Sequence, residues 1–351
     1  MKRHRLIWIL ALLVVFLVPV YRQRVADSSS VMRFCPDIVQ DAYLTTREMC
    51  ADTGRNQACY GHDLLEAEQQ PDIEDFKFDQ EGDKVNVAAL RSLRLSAMNV
   101  GTGEWGVALL RLRAGITDSG ERRSVTLLLF GDVQIENAAD SPAVTLTVTP
   151  ATGDPVPLLA EPFSAAEQVG ELKPGDIGQA VARTEDGSWM RVVLSNDEAA
   201  GWVFRPLVFH DGNADQLQVA DATVPFYGSM QAFFLSSGMD DSQCAEAPDS
   251  GLLIQTPDGV AKVTLLINEV DVQLGSTVYF QSEPGREMRV TVVEGSATVK
   301  VGDVAYEAVA GSEISVAIDE NSHPIAPPAP PKPYNPSELQ ALPLEQLERE
   351  V

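Results

Sequence analysis

Residues 156–208 read VPLLAEPFSAAEQVGELKPGDIGQAVARTEDGSWMRVVLSNDEAAGWVFRPLV, a run of short β-type segments separated by turn chemistry. Pro174-Gly175-Asp176 and Glu185-Asp186-Gly187 read as turns, because proline pre-sets φ and glycine tolerates positive φ. Between and after them Ile177, Ala180 and Val181, then Trp189, Arg191 and Val193, then Trp202 and Phe204 give roughly alternating faces at strand spacing. A small barrel is expected here, and the rest of the chain is read outward from it.

The order GELKPGD, DGSWMRV, AGWVFRPLV resembles the bacterial Src-homology-3-like domain of cell-envelope proteins, with a Gly-Trp-Val close at Gly201-Trp202-Val203. The front departs from that pattern: Val156-Pro157-Leu158-Leu159 stands where such domains carry an Asn-Val-Arg-Ser-Gly strand. The resemblance implies a binding module. Trp189, Trp202, Phe204 and Tyr227 are its candidate contact aromatics.

Toward the amino end, Leu6 to Tyr21 form an apolar run, preceded by Lys2, Arg3 and Arg5 and followed by Arg22 and Arg24. As a helix it would be about 24 Å long at ~1.5 Å per residue, slightly short of a ~30 Å hydrocarbon core. No Ala-x-Ala cleavage site follows Val20, and no cysteine follows closely enough to accept a lipid. Residues 6–21 are therefore expected to be a single-pass anchor with the body outside, the alternative being secretion after cleavage near Ala26. Residues 1–24 hold five of the 26 Lys and Arg and no acid, so the body sets 21 basic against 51 acidic side chains, a net of −30. That field repels nucleic acid, whose binding depends on phosphate neutralisation by Lys and Arg. It also disfavours anionic lipid surfaces.

Residues 33–62, RFCPDIVQDAYLTTREMCADTGRNQACYGH, read as a helix started by Pro36 and Asp37 and ended at Thr53-Gly54. Ile38, Val39, Ala42, Tyr43, Thr46 and Met49 fall on one face of it. Cys35, Cys50, Cys59 and Cys244 make an even count in an exported chain, so two disulfides are expected. Cys35 and Cys50, at opposite ends of one helix, would sit ~22 Å apart, whereas a bridge needs less than ~7 Å. Two connectivities stay open: Cys50–Cys59 with Cys35–Cys244, or Cys35–Cys59 with Cys50–Cys244. A Cys59–His62 nucleophile and base pair is the rival reading, but the chain carries few histidines to orient it. No Cys-x-x-Cys, His-x-x-x-His or Asp-x-Asp-x-Asp-Gly spacing is present, so neither a metal nor a cofactor is expected.

From Asp72 the pattern turns to β. Val85-Asn86-Val87, Gly106 to Arg113 and Val125 to Phe130 are strand candidates, and Trp105 reads as a core or rim aromatic. SVTLLLFGDVQIEN at 124–137 is echoed by KVTLLINEVDVQLGS at 262–276, which suggests two related β units flanking the barrel. Residues 285–318 alternate cleanly, with Val290 and Val292, then Ala297, Val299 and Val301, then Ile314, Val316 and Ile318. Their VVEGSATVKV and AVAGSEISVAI segments resemble the FecR-like domain of bacterial envelope proteins. Cupin-like barrels give a similar pattern, but they bind metal through several histidines and none lies in this stretch.

Residues 324–336, PIAPPAPPKPYNP, hold seven prolines and read as an extended linker. Beyond it, Leu339, Leu342, Leu344 and Leu347 alternate with acids in a segment broken by Pro343, read as a mobile tail or as a docking peptide for a partner.

The expected architecture is mainly β and multidomain. It comprises an anchor (1–24), a disulfide-linked α-helical head with a β unit (25–145), an inserted Src-homology-3-like barrel (146–212), a FecR-like, sandwich-like β domain (213–323) and a Pro-rich tail (324–351). The expected function is a non-enzymatic envelope module that binds wall polymer, glycan or an envelope protein. A FecR-like sensing role is the alternative, weakened because five residues ahead of the span leave no receiver inside. A cell-wall hydrolase comes third, since no catalytic pattern stands out from 51 acids.

Overall fold

The computed structural model describes residues 34–71, 73, 75–113, 124–139, 144–194, 200–220, 227–258 and 262–351. The anchor expected at 6–21 lies outside the described residues. Among these, no helix is long and apolar enough to cross a membrane.

The protein is mainly β, with one α-helix at Cys35–Met49 among the described residues. Two sheets share one core. The first runs, in spatial order, Lys332–Pro333, Ser312–Ala317, Glu287–Glu294, Thr277–Glu283, Gly251–Gln255, Val125–Phe130, Val107–Leu112, Gln57–His62 and Lys84–Asn86, with every neighbour antiparallel. The second runs Leu65–Gln69, Leu90–Leu95, Val133–Asn137, Ala232–Ser237, Val263–Ile267, Val270–Leu274, Ser296–Val301 and Val304–Val309. Its one parallel pairing joins Ala232–Ser237 to Val263–Ile267. Alternate residues of both sheets, such as Leu127, Leu129, Ile254 and Phe280 facing Leu93, Ile135, Leu265 and Val272, fill the space between them. Segments from 25–145 and from 213–323 thus contribute to the same two sheets.

The echoed segments take different places. Val125–Phe130 and Val133–Asn137 lie in opposite sheets, whereas Val263–Ile267 and Val270–Leu274 form a hairpin within the second sheet. The shared pattern of apolar strand, turn and Asp-Val-Gln serves a crossing in one copy and a hairpin in the other, so it does not mark two repeated units.

A similar crossing shapes residues 285–318. Glu287–Glu294 belongs to the first sheet and Ser296–Val301 to the second, and the chain turns the corner at Gly295, φ 71°. A Cβ on Gly295 would lie 2.2 Å from Ser276 Cβ and 2.5 Å from the Gly275 carbonyl oxygen, so only glycine fits this corner. After Val304–Val309 the chain returns to the first sheet, and the Ala310 amide donates to the Gly295 carbonyl at 3.0 Å.

The first sheet is buried on its outer face as well. Every residue of Val125–Phe130 and of Gly251–Gln255 is buried, which explains why these strands read as continuous apolar runs without alternation. Ile38, Val39, Ala42 and Tyr43 of the helix cover that face against Cys59, Leu109, Leu128, Phe130 and Leu253. Met49, expected on the same helical face, is instead 44% exposed. Trp105 is core: its ring meets Tyr43 edge-on at 5.3 Å and Phe130 at 6.3 Å.

Two disulfides pin the helix at both ends, Cys35 to Cys244 and Cys50 to Cys59. This is the first of the two open connectivities. Their presence fits an oxidising, extracytoplasmic environment.

The C-terminal segment is neither a free linker nor a loose tail. Ile325, Ala329 and Tyr334 donate their amides to Ala317, Ser315 and Gly311, so residues 325–334 line the edge strand Ser312–Ala317. The prolines among these residues lack an amide donor, which an edge strand tolerates. Beyond them, Leu342 is buried, with Leu339, Leu344 and Leu347 packed partly into the layer the helix occupies. Arg349 fastens the end. Its guanidinium meets Glu294 at 2.7 and 2.6 Å and Asp258 at 3.2 Å, while its backbone exchanges two hydrogen bonds with the Gln255 side chain at 3.0 and 2.9 Å. The docking partner of this peptide is the chain's own sandwich.

The barrel interrupts one hairpin. Val133–Asn137 and Ala232–Ser237 pair as neighbours, so the insert leaves and re-enters at one point, between Ala138 and Ala232. Its single sheet runs Gln168–Leu172, Val156–Leu159, Ala200–Phe204, Trp189–Leu194, Gly178–Arg183, Leu146–Pro150 and Val208–His210. Leu146, Val148, Leu158, Leu172, Ala180, Met190, Val192 and Val203 pack against one another, so this sheet coils around its own core.

Two outcomes follow for stability. Chain-entropy arguments value the Cys35–Cys244 bridge, spanning 209 residues, at roughly 5 kcal/mol and the nine-residue Cys50–Cys59 bridge at roughly 3 kcal/mol. Reduction should lower the calorimetric midpoint by on the order of 10 °C, with Cys35→Ser/Cys244→Ser producing the larger share. An unchanged midpoint would show that the bridges constrain nothing. For the tail, Leu342→Ala should cost about 2–3 kcal/mol in denaturant titrations. Hydrogen bonds from Arg349 hold the Glu294 carboxyl below its ordinary range. The clasp is therefore complete above the unfolded glutamate value of ~4.3 and fades as pH falls through the lowered folded value. Hydrogen-exchange protection factors at residues 339–347 should fall on that acidification, and fall already at neutral pH in Arg349→Ala.

Candidate functional site

The four aromatics singled out in the sequence fall into three environments. Trp189 and Phe204 are register partners on adjacent barrel strands, and their rings lie 5.3 Å apart at 58°. Phe204 is 40% exposed and Trp189 half-buried, so the pair presents an aromatic surface to solvent. Trp202 is 1% exposed, with the Arg191 guanidinium stacked 4.7 Å over its ring. Burial lowers the Arg191 pKa. Trp202 is buried where Phe204 is exposed, although alternation along Ala200–Phe204 places both on one face; Leu158 and Val169 pack against the strand on the opposite face, at Gly201. Tyr227 belongs to the sandwich, where its hydroxyl donates to Asp271 Oδ1 at 2.8 Å. Burial, reinforced by that bond, drives its pKa up.

A rigid polar turn borders the aromatic pair. The Asp186 carboxylate accepts from Thr184 Oγ1 at 2.5 Å, Ser188 Oγ at 2.6 Å and the Ser188 amide at 3.1 Å. Those donors, the Ser188 hydroxyl first, hold its carboxyl down at about 2. The Arg205 amide donates to the Ser188 carbonyl at 2.9 Å, tying the strand end carrying Phe204 to the turn that precedes Trp189. The result is two aromatic faces beside a fixed carboxylate, an arrangement suited to a ligand with apolar faces and hydroxyl donors.

The cysteines offer no thiolate. Cys59, weighed as a nucleophile beside His62, is bonded to Cys50, and all four cysteines are bridged. His62 has other neighbours. Its ring is buried, 4% exposed, and Nδ1 lies 3.0 Å from the Trp105 carbonyl oxygen. Nε2 faces Asp63 Oδ2 at 3.7 Å and Glu81 Oε1 at 3.9 Å. Sequence reasoning missed this cluster because Glu81 stands nineteen positions from His62 in no recognised spacing; only the adjacency of His62 and Asp63 was visible.

The two classes of barrel aromatic are separable by stability. Trp202→Ala should cost about 3–5 kcal/mol, as expected for a buried aromatic, while Phe204→Ala should cost less than about 1 kcal/mol. Urea titrations followed by near-ultraviolet circular dichroism check this, and equal costs would place both rings in the core.

No family model matches this chain, and no curated protein or solved structure matches it either.

Proposed function

We propose that this protein is a non-enzymatic cell-envelope module that holds a wall polymer or glycan on the Trp189–Phe204 face of its small barrel. The paired, solvent-facing rings carry this reading. Sugar rings present C–H faces that stack on aromatics and hydroxyls that donate to a fixed carboxylate such as Asp186. The disulfides support an exported body, and the apolar run at residues 6–21, flanked by basic residues, supports a membrane tether. Binding is favoured over turnover because Cys59, the one nucleophile weighed beside a base, is committed to a bridge. The net charge of −25 argues for a ligand that is neutral or basic at its contact face, and against nucleic acid.

The test is sedimentation of the purified protein with isolated wall sacculi. Trp189→Ala and Phe204→Ala, each confirmed folded, should weaken retention about tenfold or more, equivalent to ~1.4 kcal/mol. Tyr227→Phe should leave it intact. Retention equal in all four proteins, or no retention of the wild type, would refute the assignment.

A further inference from the structure

The cluster at His62, Asp63 and Glu81 sets three acceptors against one another. The Nδ1 position next to the Trp105 carbonyl oxygen requires the ring proton on Nδ1, since a carbonyl oxygen can only accept. The Nε2 lone pair is then left facing two carboxylates, both too distant for a hydrogen bond. The three donor atoms lie within 4.8 Å of one another. In a chain of net charge −25 this convergence of negative groups calls for a cation between them.

A proton on Nε2 is the simplest cation, but charge-assisted N–H···O bonds close to about 2.7–2.9 Å. The observed separations of 3.7 and 3.9 Å are longer by about an ångström. A tetrahedral ion at ~2.0–2.2 Å from each donor holds them roughly 3.3–3.6 Å apart, so the two His62 contacts need to close by only a few tenths of an ångström, and the two exposed carboxylates, within 4.8 Å of each other, turn toward the ion.

The neighbourhood is preorganised for that closure. The Gly82 amide donates to the Tyr60 carbonyl at 2.8 Å and the Tyr60 amide to the Asp83 carbonyl at 2.9 Å, which fixes the residues that follow Glu81 against the strand carrying His62. The Asp83 carboxylate in turn gathers the Asp79 and Gln80 amides, each at 3.2 Å, and Lys77 Nζ at 3.1 Å. The Nδ1 contact with a backbone carbonyl is the orienting partner that metal-bound histidines ordinarily have. The Asp63 and Glu81 side chains are 40% and 36% exposed, which leaves the cluster open to solvent on one side.

We propose that His62, Asp63 and Glu81 bind one divalent transition-metal ion of the zinc class, with solvent in the remaining position. The imidazole donor selects against Mg²⁺ and Ca²⁺, which take oxygen ligands, and one nitrogen with two carboxylates suits Zn²⁺. The ion ties the turn at 62–64 to the loop at 79–83.

Equilibrium dialysis of the purified full-length chain against Zn²⁺ tests this, with Co²⁺ as a spectroscopic substitute. One saturable equivalent is expected, with visible Co²⁺ absorption of a four-coordinate site. Glu81→Gln and Asp63→Asn should each weaken binding by more than the about 10–100-fold that loss of an outer-shell partner costs, with a metal-free thermal midpoint equal to the wild type's. His62→Gln should abolish binding; should that buried substitution fail to fold, Glu81→Gln still decides. Absence of saturable binding, affinity unchanged in both carboxylate variants, or equal displacement by Ca²⁺ would overturn the proposal.

Discussion

A sheet whose central strands are apolar on both faces has to be covered twice, and the rest of this structure depends on how that is done. The inner face of the first sheet meets the second sheet in an ordinary sandwich core. The outer face carries Leu109, Leu128, Phe130 and Leu253, and at about 25 cal/mol per Å² of apolar area its exposure would be severely unfavourable. One helix cannot cover nine strands. Two segments far apart in the chain divide that face between them. The helix at Cys35–Met49 lies on one part, and the leucines of residues 339–347 join the same layer.

Both covers need fastening, because short amphipathic segments are marginal alone. The helix lacks a side-chain cap at Phe34, and two disulfides hold its ends instead. The tail has no bridge; the Arg349–Glu294 fork and the double bond to Gln255 hold it, together with the proline-rich strand that precedes it. That proline strand also protects an edge of the first sheet, since its prolines have no N–H to donate to another strand. Between the sheets, the buried side chain of Asn268 bonds both polar groups of Leu235, at 2.7 and 3.1 Å, and Ser282 Oγ at 2.8 Å, linking the second sheet to the first.

The two candidate sites sit where this framework is least committed. The barrel enters through adjacent strands of one hairpin, so it has its own core and can present Trp189 and Phe204 without disturbing the sandwich. His62 ends its strand at the rim of the first sheet, under Trp105, where a buried ring borders two partly exposed carboxylates. One part offers aromatic faces and the other a set of cation donors. Both lie on a strongly acidic, disulfide-bonded body.

Local chemistry made much of this legible in the sequence. Continuous apolar runs of strand length marked Val107–Leu112 and Val125–Phe130, and alternation marked the strands after residue 285, because burial on both faces or on one is written residue by residue. The helix at Cys35–Met49 and the exclusion of a Cys35–Cys50 bridge followed from helical rise alone. What the tertiary structure decided were choices between locally equivalent partners. Spacing could not separate the two remaining disulfide pairings, since each depended on where Cys244 came to lie. The echoed segments at 124–137 and 262–276 part company in their first strands, Val125–Phe130 joining the first sheet and Val263–Ile267 the second, a choice that their shared residues do not make. Trp202 and Phe204, two residues apart on one strand and one face, differ in burial, with Arg191 stacked over the first and solvent reaching the second. The tail reads as loose until the apolar outer face of the first sheet is assembled for its leucines to cover. Glu81 meets His62 for the same reason: a side chain's charge and shape are set by its own residue, but its company is set by the fold.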